Sequence, residues 1–246
     1  HTANRRQRQM CIRDSLGFTG EYGITGGAGV EFDNFRGKGQ KLNIGASTGT
    51  NFSVYTTQEP SKYRSLNISF QDPMINDSPY LVGASIFYSF RGSSTNYYFP
   101  LDFTVGGAVA SFGRRLEWPD DFFRVMWSTK FMQKEYEGSQ SDIDNYIGGL
   151  QKTRGISLSQ VLSRDSRNRA EFPTNGSTFI LENTYSGGFL GGNENFQKHM
   201  LTLDWFTPTF SKFVLYNSVK LGVIKTIDVG DDVQSFVPFD ERFIMG

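Results

Sequence analysis

From Leu16 onward apolar and polar residues alternate with period two along short segments, and clusters of turn-forming residues separate those segments. The late segments show it most clearly. Phe213, Leu215, Val219, Leu221 and Val223 share one face of a strand, with Ser218 and Lys220 on the other. His199, Leu201, Leu203 and Trp205 alternate with Thr202 and Asp204, and Phe123, Val125, Trp127 and Phe131 alternate with Arg124, Ser128 and Lys130. The pattern predicts ten strands: Ile24–Asp33, Lys41–Tyr55, Tyr63–Asp72, Tyr80–Phe90, Tyr97–Arg114, Phe122–Glu135, Gly149–Arg164, Ser177–Gly187, Phe196–Thr207 and Phe213–Lys225.

A membrane barrel and a soluble β-sandwich both produce this alternation, the first with the apolar face outward and the second with it inward. The connections favour the barrel. One set is compact and rich in turn formers, at residues 34–39, 72–79, 118–121, 172–176 and 208–212; the alternate set is polar and irregular, at 91–96, 137–146, 187–195 and 228–240. Short turns at one end and longer loops at the other are an outer-membrane barrel's signature. The fold class expected is therefore all-β: an antiparallel up-and-down transmembrane barrel, of which this chain supplies about ten strands. No repeat of fixed period or domain linker interrupts it, so residues 15–246 read as one barrel domain.

Composition sharpens this reading. The 246 residues include 27 Gly, 23 Phe and 11 Tyr, yet only 37% are hydrophobic and mean hydropathy is -0.40. No stretch approaches the roughly 18 consecutive apolar residues that a membrane helix needs, so a membrane-spanning form must be a closed sheet. A formal charge of zero gives no basic field for nucleic acid. The single cysteine, Cys11, and two distant histidines, His1 and His199, argue against a disulfide, a metal site or a thiol enzyme. Residues 1–14 differ in texture, with Arg5, Arg6, Arg8 and Arg13 and no apolar stretch of the kind a signal peptide carries; they read as a foreign or unstructured basic segment.

No catalytic constellation emerges. Asp120 with Asp121, and Asp231 with Asp232, read as solvated turn carboxylates rather than an acid/base dyad. The run Gly26-Gly27-Ala28-Gly29 lacks the following helix that a phosphate cradle requires. Asp165 and Arg167 stand two apart, spacing that places both on one strand face as a lumen-facing charge pair. Pro173 and Gly176 suit a turn, the first by fixing φ and the second by tolerating positive φ. Arg114 and Arg115 could bind lipid phosphate at a membrane rim, but neighbours on a strand face opposite ways, so one of them is an interfacial anchor. Trp118, Trp127 and Trp205 suit aromatic girdles.

Several of these segments resemble the BamA family, also called the bacterial surface antigen proteins, and the likeness spans nearly everything after Gly23. Ser163 to Ser177 is similar to the family's strand end, with Asp165 and Arg167 as its Asp-x-Arg pair and Phe172, Pro173, Thr174 and Gly176 as its Phe-Pro-Thr-x-Gly turn. Asn168 stands where the family often has aspartate, and Ala170 where proline is expected. Phe112 to Phe123, which includes Arg114, Arg115, Trp118, Pro119, Asp120 and Asp121, resembles a second family segment; the closing Glu241, Arg242 and Phe243 resemble a third. Asp33 to Gly39 and Ser69 to Pro73 support these.

The resemblance implies a non-enzymatic insertase that folds client outer-membrane proteins into the bacterial outer membrane by adding a client strand to an exposed sheet edge. It implies outer-membrane lipids, client proteins and accessory assembly lipoproteins as partners, and no cofactor. A related translocation barrel or a passive pore is the alternative, and a soluble carbohydrate-binding or hydrolytic β-domain a third. It further implies that the chain is a fragment, lacking the periplasmic POTRA domains, most of the first strand, a loop with a Val-Arg-Gly-aromatic motif and about five last strands. Such a fragment is expected not to fold alone, because its unpaired edges leave orphan amides in lipid.

Overall fold

The computed structural model of the chain describes residues 10–19, 23–50, 62–93, 100–228, 237–238 and 241–243. Among these residues eleven strands form one sheet whose order follows the chain. They are β1 (Met10–Thr19), β2 (Gly23–Phe35), β3 (Gln40–Thr50), β4 (Lys62–Asp72), β5 (Tyr80–Arg91), β6 (Asp102–Arg115), β7 (Phe123–Glu137), β8 (Lys152–Asp165), β9 (Gly176–Ser186), β10 (Phe196–Pro208) and β11 (Val214–Thr226). A helix, α1 (Gln140–Ile147), lies between β7 and β8. Contacts divide the chain into two compact units: residues 1–76, 82–110 and 130–154 form unit 1, and residues 77–81, 111–129 and 155–246 form unit 2.

In unit 1 the antiparallel register aligns Ile12, Val30, Ile44, Ile68 and Ile86 across β1 to β5. The opposite face carries Ser15, Gly27, Ser47, Ser65 and Ser89 in register, with the Ser47 and Ser65 hydroxyls 2.6 Å apart. Ile12 and Ile86 are 68% and 55% exposed, so the isoleucine row is not a core. The packed apolar cluster among the described residues is small, built from Leu101, Tyr136, Ile143 and Ile147, with the Phe103 ring tilted against Tyr136 at 5.1 Å. α1 supplies two of these residues; Ser139 caps it by accepting from the Asp142 backbone N–H, and Gly148 closes it in the left-handed conformation.

In unit 2 the same logic gives a row of Leu162, Leu181, Leu201 and Leu221 across β8 to β11, and Leu221 is 60% exposed. On the reverse face Asp165, Thr178, Asp204 and Ser218 stand in register. Burying apolar area is the main drive to fold in water, yet both units leave their apolar face uncovered among the described residues. That choice is stable only where the surrounding medium is itself apolar. Lys220 and Asp204 accordingly lie on the face opposite the leucines, as the alternation predicts, and Arg124 interacts electrostatically with Asp165 of that same face.

Three features depart from the predicted elements. β1 is absent from the predicted strands and takes in Met10–Asp14, a stretch read as lying outside the fold. An added strand pairs through backbone groups that every non-proline residue carries, so side-chain composition does not announce it; Arg13 meets Glu31 of β2 at 3.0 Å. The strand predicted from Gly149 begins at Lys152, because Gly148 and Gly149 (φ 65 and 85) end α1, a helix within the predicted irregular loop. The strand predicted from Tyr97 begins at Asp102; residues 97–99, like the predicted strand end at 51–55, lie outside the described residues.

Candidate functional site

Two of the sequence motifs meet at the turn end of unit 2, where residues 116–122 join β6 to β7 and residues 166–175 join β8 to β9. Asp165 ends β8, and Arg167 lies just beyond it in the turn. The guanidinium donates from Nε to Asp165 Oδ1 at 2.9 Å and from Nη2 to Oδ2 at 2.8 Å, a two-pronged pair. The Asp165 carboxylate also accepts from the Arg167 backbone N–H at 3.1 Å. This hydrogen bonding raises the Arg167 pKa above its already high ordinary value. The pair predicted along one strand face therefore exists, but it closes the strand end rather than running along it.

Asn168, the departure from the family pattern, holds the rest of the turn. Its side chain donates to Thr174 Oγ1 at 2.7 Å and accepts from the backbone N–H groups of Thr174 and Asn175 at 3.0 and 3.3 Å. Its own backbone N–H donates to the Asn175 carbonyl at 3.1 Å. Gly176 has φ 109, and a Cβ there would overlap the Ser166 carbonyl and the Arg167 Cα, so glycine is obligatory. Phe172 projects, 78% exposed, ahead of Pro173.

Beside this turn Arg164 pairs with Asp120 of the β6–β7 connection at 2.8 Å and lies over the Phe122 and Phe123 rings at 5.5 and 5.8 Å. Asp120 also accepts from the Phe122 backbone N–H at 2.9 Å. It is thus ion-paired rather than merely solvated, a correction to the sequence reading, which could not see Arg164 from 44 residues away. Arg115 turns its Nε onto the Asp121 carbonyl at 2.6 Å, whereas Arg114 on the other face lies over Tyr80 at 5.4 Å. Trp118, in a cis peptide with Pro119, is 83% exposed.

The third motif sits elsewhere in unit 2. Glu241 accepts from Lys198 Nζ at 3.0 Å, both through its carboxylate and through its backbone carbonyl, and the Phe243 ring lies 5.3 Å from the same Nζ. That ring covers Gly222, where a Cβ would come within 2.5 Å of it. Arg242 instead donates from Nε to the Val237 carbonyl at 3.1 Å. The register puts Gly222 and Lys198 on the polar face with Lys220, so residues 241–243 dock there.

Chemically, these groups bind and position. Among the described residues Asp165 pairs with Arg167, Asp120 with Arg164 and Glu241 with Lys198, while Arg115 and Arg242 donate to backbone carbonyls. His199 is a strand-surface residue as expected, with Nδ1 2.8 Å from Asn183 Oδ1. The Gly26 to Gly29 run lies within β2. Asp231 and Asp232 lie outside the described residues. Sequence reasoning missed Arg164, Asn168, Lys198 and Gly222, whose roles depend on partners brought together by the sheet register.

The chain is similar to known proteins in the same sense as its geometry. Residues 34–246 match the model of the Omp85 superfamily domain. A relative from Nitratidesulfovibrio vulgaris, named outer membrane protein assembly factor BamA, is 27% identical over 194 residues, covering 75% of this chain and 22% of that protein. The crystal structure of BamA from Haemophilus ducreyi lacking POTRA domains 1-3 superposes with a TM-score of 0.74 at 17% identity, over 98% of this chain and 44% of that one. The chain thus spans less than half the length of either. An exposed apolar sheet face, turn motifs closed by internal ion pairs and a family match over most of the chain agree: the chain belongs to the Omp85 superfamily and is part of an outer-membrane β-barrel.

Proposed function

We propose that the polypeptide carrying this chain is an outer-membrane protein assembly factor, a non-enzymatic insertase that folds client barrel proteins into the outer membrane. The observation that carries this is the Omp85 match over residues 34–246, joined by likeness to a relative named for that role. Physically, insertion needs no cofactor or energy source if the free edge of a sheet offers backbone N–H and C=O groups to an incoming strand, since an unpaired amide in lipid costs several kcal/mol. Client outer-membrane proteins, surrounding lipid and accessory lipoproteins are the partners this role requires.

The test is reconstitution of the full-length polypeptide in phospholipid vesicles, with a urea-denatured client barrel diluted in and its folding followed by heat-modifiable gel migration. Folding faster than in empty vesicles is expected. Ion conductance without any acceleration would replace this reading with a passive pore.

A further inference from the structure

The two outward arginines at the turn end of unit 2 differ in a way that points to a ligand. Gly113 sets the faces of β6: a Cβ there would meet the side chains of Leu81 and Met126, so Phe112 and Arg114 point the other way. Met126 shares its β7 face with Arg124, on the polar side, which places Phe112, Arg114 and their neighbour Tyr80 on the apolar side. Tyr80 and Phe112 stack with centroids 5.5 Å apart at 24°, and the Arg114 guanidinium lies over Tyr80. Arg164 has the same kind of aromatic bed, in Phe122 and Phe123, but Asp120 neutralises it. Among the described residues no carboxylate pairs with Arg114, and its side chain is exposed.

We infer that Arg114, seated over Tyr80 with Phe112 stacked on that ring, binds the phosphate of a phospholipid at the membrane boundary. This rests on the reading above that the apolar face meets lipid. A guanidinium held over a ring and paired with no carboxylate leaves N–H groups for a ligand, and its planar fork matches two phosphate oxygens in a geometry a lysine cannot reproduce. Phe112, 46% exposed, continues the apolar face beside it and offers a surface for the first methylenes of an acyl chain. Short turns mark the periplasmic end of such barrels, so the ligand is a phospholipid of the periplasmic leaflet. Of the adjacent arginines, Arg115 is thereby the anchor, held on the Asp121 carbonyl, and Arg114 the binding group.

The experiment is titration of the detergent-solubilised full-length polypeptide with phosphatidylglycerol, with lipid adducts read by native mass spectrometry. Arg114→Gln is expected to weaken the tightest adduct about five- to tenfold, as for loss of one charge-assisted bidentate contact. Tyr80→Leu should weaken it less, and Arg115→Gln should leave it unchanged. Heat-modifiable migration of each variant confirms its fold. Equal binding by wild type and Arg114→Gln, or retention of uncharged diacylglycerol as strong as that of phosphatidylglycerol, would overturn the site while leaving the barrel reading intact. Absence of every lipid adduct from the wild type would likewise overturn the site.

Discussion

At the scale of single residues, the turn of residues 166–175 shows how much one side chain can hold. Asn168 satisfies two backbone N–H groups and a hydroxyl, so Asn168→Ala orphans donors in a segment that must close a strand pair. The expected cost is about 1–3 kcal/mol, read as a lower urea midpoint for the full-length protein in micelles. Gly176→Ala is expected to cost a similar amount for a different reason, since its φ of 109 and the adjoining backbone exclude a Cβ. Within the apolar face, Gln160, Asn183 and His199 form a polar row, with Asn183 donating to Gln160 at 3.2 Å and meeting His199 Nδ1 at 2.8 Å. Asn183→Leu would add apolar surface yet strand both neighbours. We expect it to destabilise by about 1–2 kcal/mol in the same urea assay, where an unchanged or higher midpoint would refute the account. Gly176 was legible from sequence because its φ requirement is local. The importance of Asn168 was not, because an asparagine shows its worth only when its acceptors and donors are in place.

Among elements, register does the selecting. Strand alternation is a local property, so β2 to β11 could be read from residue order with small errors at their ends. The helix α1 escaped that reading because its eight residues are bounded by an N-cap serine and a glycine whose meaning depends on the pair Ile143 and Ile147 finding Leu101 and Tyr136. The docking of residues 241–243 escaped it too. It depends on Lys198 of β10 and Gly222 of β11 being paired with a segment that follows them. Lys198→Glu should release the segment, seen as faster limited proteolysis after β11, and Lys198→Glu combined with Glu241→Lys should restore protection. Gly222→Leu should release it as well, by displacing the Phe243 ring; protection equal to wild type in both single variants would show that the segment docks elsewhere.

For the whole molecule, the controlling fact is which side of the sheet faces an apolar medium. Leu201→Arg and Thr202→Arg are adjacent in sequence but on opposite faces. The first is expected to cost about 2–4 kcal/mol in urea-titrated folding into vesicles, as for arginine near the middle of a barrel's lipid face, and the second far less. Equal costs would mean that the leucine row does not meet lipid. Period-two patterning by itself determined that the chain makes strands, which residues share a face, and where the turns fall, because these depend on neighbours one to four positions away. The motif segments also identified the family. Tertiary structure alone decided that, among the described residues, the apolar face stays uncovered and Arg114 has no carboxylate partner while Asp120 neutralises Arg164, that Met10–Asp14 joins the sheet, and that residues 241–243 dock on the polar face. Each of these depends on residues distant in sequence being brought into register, and a slip of one position would turn every side chain of a strand to the other side.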